Sequence, residues 1–164
     1  MGQLLDEKRK ALHAVILDAV YALSATDFEL LQFLGNYIAQ VSLLGIQILW
    51  TKESELAISQ AKRDKKAMRH ANEKFQFLLN TLISQTAKNL SKYERIKFES
   101  LITIHVHQRD IFEDLSKSNV KSLNDFEWLK QSRFYFIFEE DHCVCKITNI
   151  NFIYQNEFLG GKVQ

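Results

Sequence analysis

The stretch Asn124-Asp125-Phe126-Glu127-Trp128-Leu129-Lys130-Gln131-Ser132-Arg133-Phe134-Tyr135-Phe136 crowds five aromatic rings into a short segment. It opens on a helix N-terminal signature, Asn124 with Glu127 three residues on, and then breaks into β-type alternation. So much apolar surface needs a partner. Beyond it, Cys143, Cys145 and Ile147, then Phe152 and Tyr154, alternate with other side chains at period two, and Thr148-Asn149-Ile150-Asn151 reads as the reversal between them. That predicts a β-hairpin. A lone two-stranded hairpin is marginal in water, so this one must pack on the aromatic segment or extend a sheet supplied from elsewhere.

Toward the N-terminus the pattern is helical. Leu4, Leu5, Leu12, Val15, Ile16, Ala19, Val20 and Leu23 recur at helical spacing from about Gln3 to Leu23. Thr26-Asp27-Phe28-Glu29 has capping-box spacing and opens a short helix through Leu34, punctuated by Gly35 and Asn36. A longer helix runs from Tyr37 through Trp50 and Leu56, apolar on most sides in its first half. A third, from about Ala67, carries Phe75, Leu79, Leu82 and Ile83 on its stripe. Ser91-Lys92-Tyr93-Glu94 is another capping box, opening a helix with Tyr93, Ile96, Leu101, Ile104, Gln108, Ile111, Phe112 and Leu115 on its apolar side. The expected fold is mainly α: an elongated helical bundle over 1–138, a short C-terminal β-hairpin over 139–160 and a tail over 161–164.

Composition sets the function classes aside one by one. The formal charge of +1, from 21 basic and 20 acidic side chains, leaves no basic block for counterion release, so no nucleic acid is expected as a partner. The densest charge run, Lys62-Arg63-Asp64-Lys65-Lys66, mixes signs and reads as a solvated helix face. Tyr37 to Trp50 is too short to span a bilayer and contains Gln40 and Gln47, so no membrane is expected either. The N-terminus has no signal-peptide pattern. Cys143 and Cys145 stand one residue apart, where a disulfide would be strained, which suits a reducing compartment.

Candidate chemistry is sparse. His105-x-His107 would place two imidazoles on one face of a strand, but on a helix residues two apart diverge by about 200°. Cys143-x-Cys145, with His142, reads more simply as small buried hydrophobes than as metal ligands. No metal is expected. His107, Arg109 and Asp110 read as a polar group tying their helix to a neighbour, with Asp110 able to pair with an Arg. No nucleophile elbow, triad order or G-x-x-x-x-G-K-[ST] phosphate loop occurs, so no catalytic or cofactor-binding residue is expected.

Five motifs in order nonetheless resemble one family. They are Gln40 with Ile46-Gln47-Ile48-Leu49-Trp50-Thr51-Lys52-Glu53; Leu90-Ser91-Lys92-Tyr93-Glu94-Arg95; Ile104-His105-Val106-His107-Gln108-Arg109-Asp110; Asn124 to Arg133 with Phe134-Tyr135; and Phe152-Ile153-Tyr154-Gln155-Asn156-Glu157-Phe158-Leu159-Gly160. Over about Tyr37 to Gly160 the chain resembles the C-terminal part of the linker region of dynein heavy chains, just before the first AAA+ module. Departures are Ile38 where the family usually has Pro, which suggests an earlier helix start, His105 for an acidic residue, Ser132 for Leu, and Phe136 to Phe138 for a Trp-containing stretch. Gly161-Lys162-Val163-Gln164 does not continue into the family's adenine-contacting loop.

The resemblance implies a force-transmitting arm of an ATP-driven microtubule motor, with the AAA+ ring of the same heavy chain as its partner. ATP and magnesium belong to AAA+ modules outside this sequence, dynein subunits are further partners, and microtubules are met only through the full motor. The setting implied is cytoplasm and cytoskeleton, with the axoneme of a cilium or flagellum among them. The mechanical residues implied are Trp50, Thr51, His107, Arg109, Asp110, Phe126, Trp128, Gln131, Arg133, Phe134, Tyr135, Tyr154 and Gly160. Phe126, Trp128, Phe134 and Tyr135 are expected to form a packed seat between helix and hairpin, with Trp50 anchoring the long helix. The complete absence of Pro suits a stiff element. The alternative is a free-standing truncated helical adaptor that binds motor subunits.

Overall fold

The computed structural model describes residues 14–23, 29–137, 142–147 and 150–154. Six helical segments are described: α1 (14–23), α2 (Leu30–Asn36), α3 (Ala39–Gln60), α4 (Ala67–Thr86), α5 (Lys92–Lys117) and the single turn α6 (Phe126–Leu129). Strands β1 (Arg133–Ile137), β2 (His142–Ile147) and β3 (Ile150–Tyr154) follow in one antiparallel sheet of order β1-β2-β3. The mainly helical class and the C-terminal hairpin agree with the periodicity. The start of the first helix, the capping box around Thr26 and the stretch around Gly160 lie outside the described residues.

The hairpin does not stand alone. Its third strand is the second half of the aromatic segment itself, with Phe134 opposite Cys145 and Phe136 opposite Cys143, so the sheet begins at Arg133 and not at position 139. Three strands against a helical core meet the requirement that a pair cannot. Ile147 pairs with Ile150 and Lys146 with Asn151, so Ile150 and Asn151, expected in the reversal, belong to β3, and Thr148 and Asn149 lie outside the described residues.

α3 is the spine, packing against α2, α4, α5 and β1. Its N-terminal half shares one core with α1 and α2, where Ile16, Val20, Phe33 and Leu34 meet Val41, Leu44 and Ile46, and Leu82, Phe98 and Leu101 close it. Its C-terminal half shares a second, where Trp50, Ala57 and Ile58 meet Phe75, Phe112, Leu115 and Trp128. Gly45 allows the first core to close. A Cβ there would stand 2.7 Å from the Phe33 ring, closer than any real contact.

Cap chemistry fixes the helix ends. Ser91 accepts the Glu94 amide at 3.2 Å and starts α5, as its capping box predicts. At the other end Asn119 takes φ 59°, and Val120 N–H returns to Leu115 C=O at 3.3 Å while Asn119 N–H returns to Ser116 C=O, a Schellman stop. The cap of α6 is Asp125, whose carboxylate accepts the Glu127 amide at 2.9 Å, one residue later than Asn124. The buried face of α5 is Phe98, Leu101, His105, Gln108, Phe112 and Leu115. Tyr93 and Ile96, expected on that stripe, are exposed, because the four-three spacing continued back from Leu101 lands on Phe98 and Lys97.

Candidate functional site: the joint between the long helix and the sheet

One face of α3 holds both α6 and β1. Thr51 uses its hydroxyl twice, donating to the Gln47 carbonyl one turn back at 3.0 Å and accepting the Phe134 amide of β1 at 3.0 Å. One turn further on, Glu55 accepts two bonds on a single oxygen: Trp128 Nε1 donates to Oε2 at 3.2 Å and the Tyr135 hydroxyl at 2.7 Å. Residues four apart on a helix share a face, so Thr51 and Glu55 form a short polar rail for the aromatic segment. Beside the rail, Trp50 and Trp128 pack tilted, ring centroids 5.5 Å apart, and both are buried.

Electrostatics agree with this geometry. Burial pushes the Tyr135 hydroxyl well above the ordinary phenol range, and the Glu55 carboxylate beside it pushes the same way. The phenol therefore stays a donor, which the contact with a carboxylate oxygen requires. Lys146 of β2 places its ammonium 5.3 Å from the Tyr135 ring centroid, tying the second strand to the same residue. Arg133 is buried at the start of β1 and donates from Nε to the Gln131 carbonyl at 3.4 Å. Gln131 Nε2 donates to the Glu127 carbonyl at 3.2 Å, closing the turn. Burial raises the Cys145 thiol above its usual range, with Arg133 acting against it.

The structure thus brings together Trp50, Thr51, Trp128, Gln131, Arg133, Phe134 and Tyr135. Phe126 does not join them. It is 63% exposed, because on a single helical turn residues 126 and 128 point about 200° apart and only Trp128 faces the core. Arg109 and Asp110 lie elsewhere, on the groove between α4 and α5: Arg109 Nη1 donates to Gln76 Oε1 of α4 at 3.0 Å, and Nη2 pairs with Asp110 Oδ1 at 2.9 Å. Of the three residues expected to tie α5 to a neighbour, Arg109 crosses to α4, while Asp110 pairs with Arg109 on the same helix. His107 is exposed on α5, while His105 is 2% exposed with Nε2 bonded to the Phe75 carbonyl at 2.9 Å, so the two imidazoles face apart. Tyr154 sits in β3 opposite Cys143, and Gly160 is outside the described residues. Among the described residues no group of three His, Cys, Asp or Glu side chains is placed to hold a metal ion. Among them, too, no helix is long and apolar enough to cross a membrane.

Glu55 is the residue that sequence reasoning missed. A signal existed: it stands one turn after Thr51, on the same face, and a buried indole N–H and phenol both require an acceptor. Glu53, which falls inside the quoted motif, instead reaches Lys74 of α4 at 3.0 Å.

Fold and site together define a class: a helical segment in which a short helical turn and the strand after it are fixed to one long helix by a ring pair and three long-range hydrogen bonds. No family model matches the chain. Individual relatives do. The chain is 59% identical to human dynein axonemal heavy chain 8 over 157 residues, which is 96% of this chain and 4% of that protein. It is 54% identical to rat dynein axonemal heavy chain 5 over 160 residues, 98% of this chain and 5% of that one. It is 38% identical over 163 residues to the dynein gamma chain of the flagellar outer arm of Chlamydomonas reinhardtii, 99% and 4% respectively. The chain is homologous to a segment of axonemal dynein heavy chains, and spans 4–5% of the length of these relatives.

Proposed function

We propose that this chain is the root of the linker of an axonemal dynein heavy chain, a non-catalytic element that carries force between the AAA+ ring and the rest of the arm. The observation that supports it most is the joint on α3. Thr51 and Glu55 bind the backbone and side chains of residues 73 to 83 positions away, so the sheet moves with the long helix as one piece. Apolar burial adds to this: each large ring contributes roughly 1.5–3 kcal/mol when buried. Two or three such rings match the about 5.5 kcal/mol needed to drive a two-state element from 1:99 to 99:1.

In this reading, nucleotide and magnesium are handled by AAA+ modules of the same heavy chain, and the ring is the immediate partner of the sheet. Motion along microtubules belongs to the whole motor. The setting is the axoneme, after the axonemal and flagellar names of the relatives. A first test is the size of the native product. An immunoblot band far heavier than the 19.2 kDa of this chain is expected, and a band at that mass would favour a free-standing adaptor.

A further inference from the structure

α2 ends at Asn36 and α3 starts at Ala39, with Tyr37 (φ −122°, ψ 150°) and Ile38 (φ −65°, ψ 162°) extended between them. The helix does not start earlier, although the chain contains no Pro to stop it. Such a break orphans the last carbonyls of one helix and the first amides of the next. Local chemistry does little to satisfy them: the N-cap of α3 is Ile38, with no side-chain cap bond, and Ser42 Oγ donates to the Tyr37 carbonyl at 3.2 Å.

The remaining partners come from α5. Tyr93 Oη accepts the Ala39 amide at 2.9 Å. One turn on, Lys97 Nζ donates to the Tyr37 carbonyl at 2.7 Å and also to the Leu34 carbonyl. Lys97 is 2% exposed, in a residue type almost never fully buried without a partner. Burial lowers its affinity for a proton, with the nearby Glu94 opposing. On the other side of the break, the Tyr37 hydroxyl donates to the Asp18 carboxylate of α1.

We propose that Tyr93 and Lys97 form a latch through which α5 sets the α2–α3 joint and so positions the α1–α2 lobe. The latch imposes from a distance what a proline would impose locally, since Ile38 already holds the φ that a pyrrolidine ring fixes and Tyr37 has the extended backbone required before one. Its mechanical consequence, that load on α5 is passed to the lobe, rests on the force-transmitting reading; the latch itself does not.

The test is hydrogen exchange by mass spectrometry on the intact heavy chain carrying this segment. Lys97→Met is expected to raise exchange over residues 34–42 at least tenfold while α4 and the sheet stay as they are. Adding Ile38→Pro to Lys97→Met is expected to bring exchange back toward the parent level, because the ring restores the break without the amine. Exchange that stays at the parent level, rises equally throughout α3 to α5, or is not restored by the proline overturns the latch. Microtubule gliding by the same variants separates the two readings. Slowed gliding with a loosened joint extends the force path to the lobe, and unchanged gliding with a loosened joint leaves the latch standing and counts against force transmission.

Discussion

The Phe134 amide donates to Thr51 Oγ1 at 3.0 Å across 83 positions of sequence, so an amide near the start of the aromatic strand is held by a side chain of the long helix. Thr51→Val keeps the shape and removes that acceptor. A part-buried amide that loses its acceptor costs at most about 1–3 kcal/mol, and a loss within that limit is expected in urea unfolding. Thr51→Ser, which keeps the hydroxyl, is expected to lose less than half as much. Equal losses for the two would mean that the bond carries no stability.

Glu55 permits a spectroscopic prediction. In Glu55→Leu the Tyr135 hydroxyl loses its acceptor and its neighbouring charge, so the tyrosine titrates at lower pH than in the parent chain. Burial is the larger cause of its upward shift, so the titration stays above the ordinary value of 10.0. Tyrosinate absorbance against pH reads both limits. No movement on removing Glu55 would exclude the carboxylate as a cause.

The helices were legible because their burial is periodic, and Ser91, with an oxygen aimed at the third amide, is a local signal that needs no tertiary knowledge. The joint was half legible. Trp50 and Trp128 announce themselves by size, but their meeting depends on how α3 and α6 cross, and Glu55 looks like any exposed helix carboxylate until two buried donors are placed against it. The β-type alternation after Trp128 was legible, but the helical bundle was drawn to 138 and the hairpin started at 139, because whether Arg133–Ile137 becomes a third strand rests on the sheet it joins. Lys97 was invisible for the same reason: its acceptors are carbonyls 60 and 63 positions away.

Gly45 faces the Phe33 ring so closely that an added methyl group must displace it, and the ring sits within a packed core. Gly45→Ala gains helix propensity of up to about 1 kcal/mol in an open site. Here the overpacking cost, about 1–3 kcal/mol, outweighs it. A lower unfolding midpoint is expected, and Phe33→Leu in the same chain is expected to recover part of it. A stabilised Gly45→Ala chain would mean that α2 moves aside at no cost.

His105 predicts a pH dependence of stability. Burial lowers its pKa from 6.5, and the Arg109 charge acts the same way, while the bond to the Phe75 carbonyl opposes both. Nδ1 has no hydrogen-bond partner in this structure, so a proton placed there would find no acceptor. The unfolded chain takes up this proton near pH 6.5 and the folded chain does so only at lower pH. Stability is therefore complete above that value and falls as pH drops below it, by at most about 1.4 kcal/mol per pH unit. Comparison of unfolding at pH 7.5 and 5.5 with and without His105→Asn checks the sign. An identical pH slope in the variant would assign the loss to other groups.

Trp128 is fully buried, packs on Trp50 and donates to Glu55, so truncating it removes a ring, a ring pair and a hydrogen bond at once. Loss of such a ring costs about 3–5 kcal/mol at the site. The most direct measurement is microtubule gliding and ATP turnover of an intact axonemal heavy chain carrying Trp128→Ala, assayed together. A force-carrying joint predicts that ATP turnover persists while gliding velocity falls severalfold; gliding at the parent velocity, with the substitution verified and turnover intact, would contradict it.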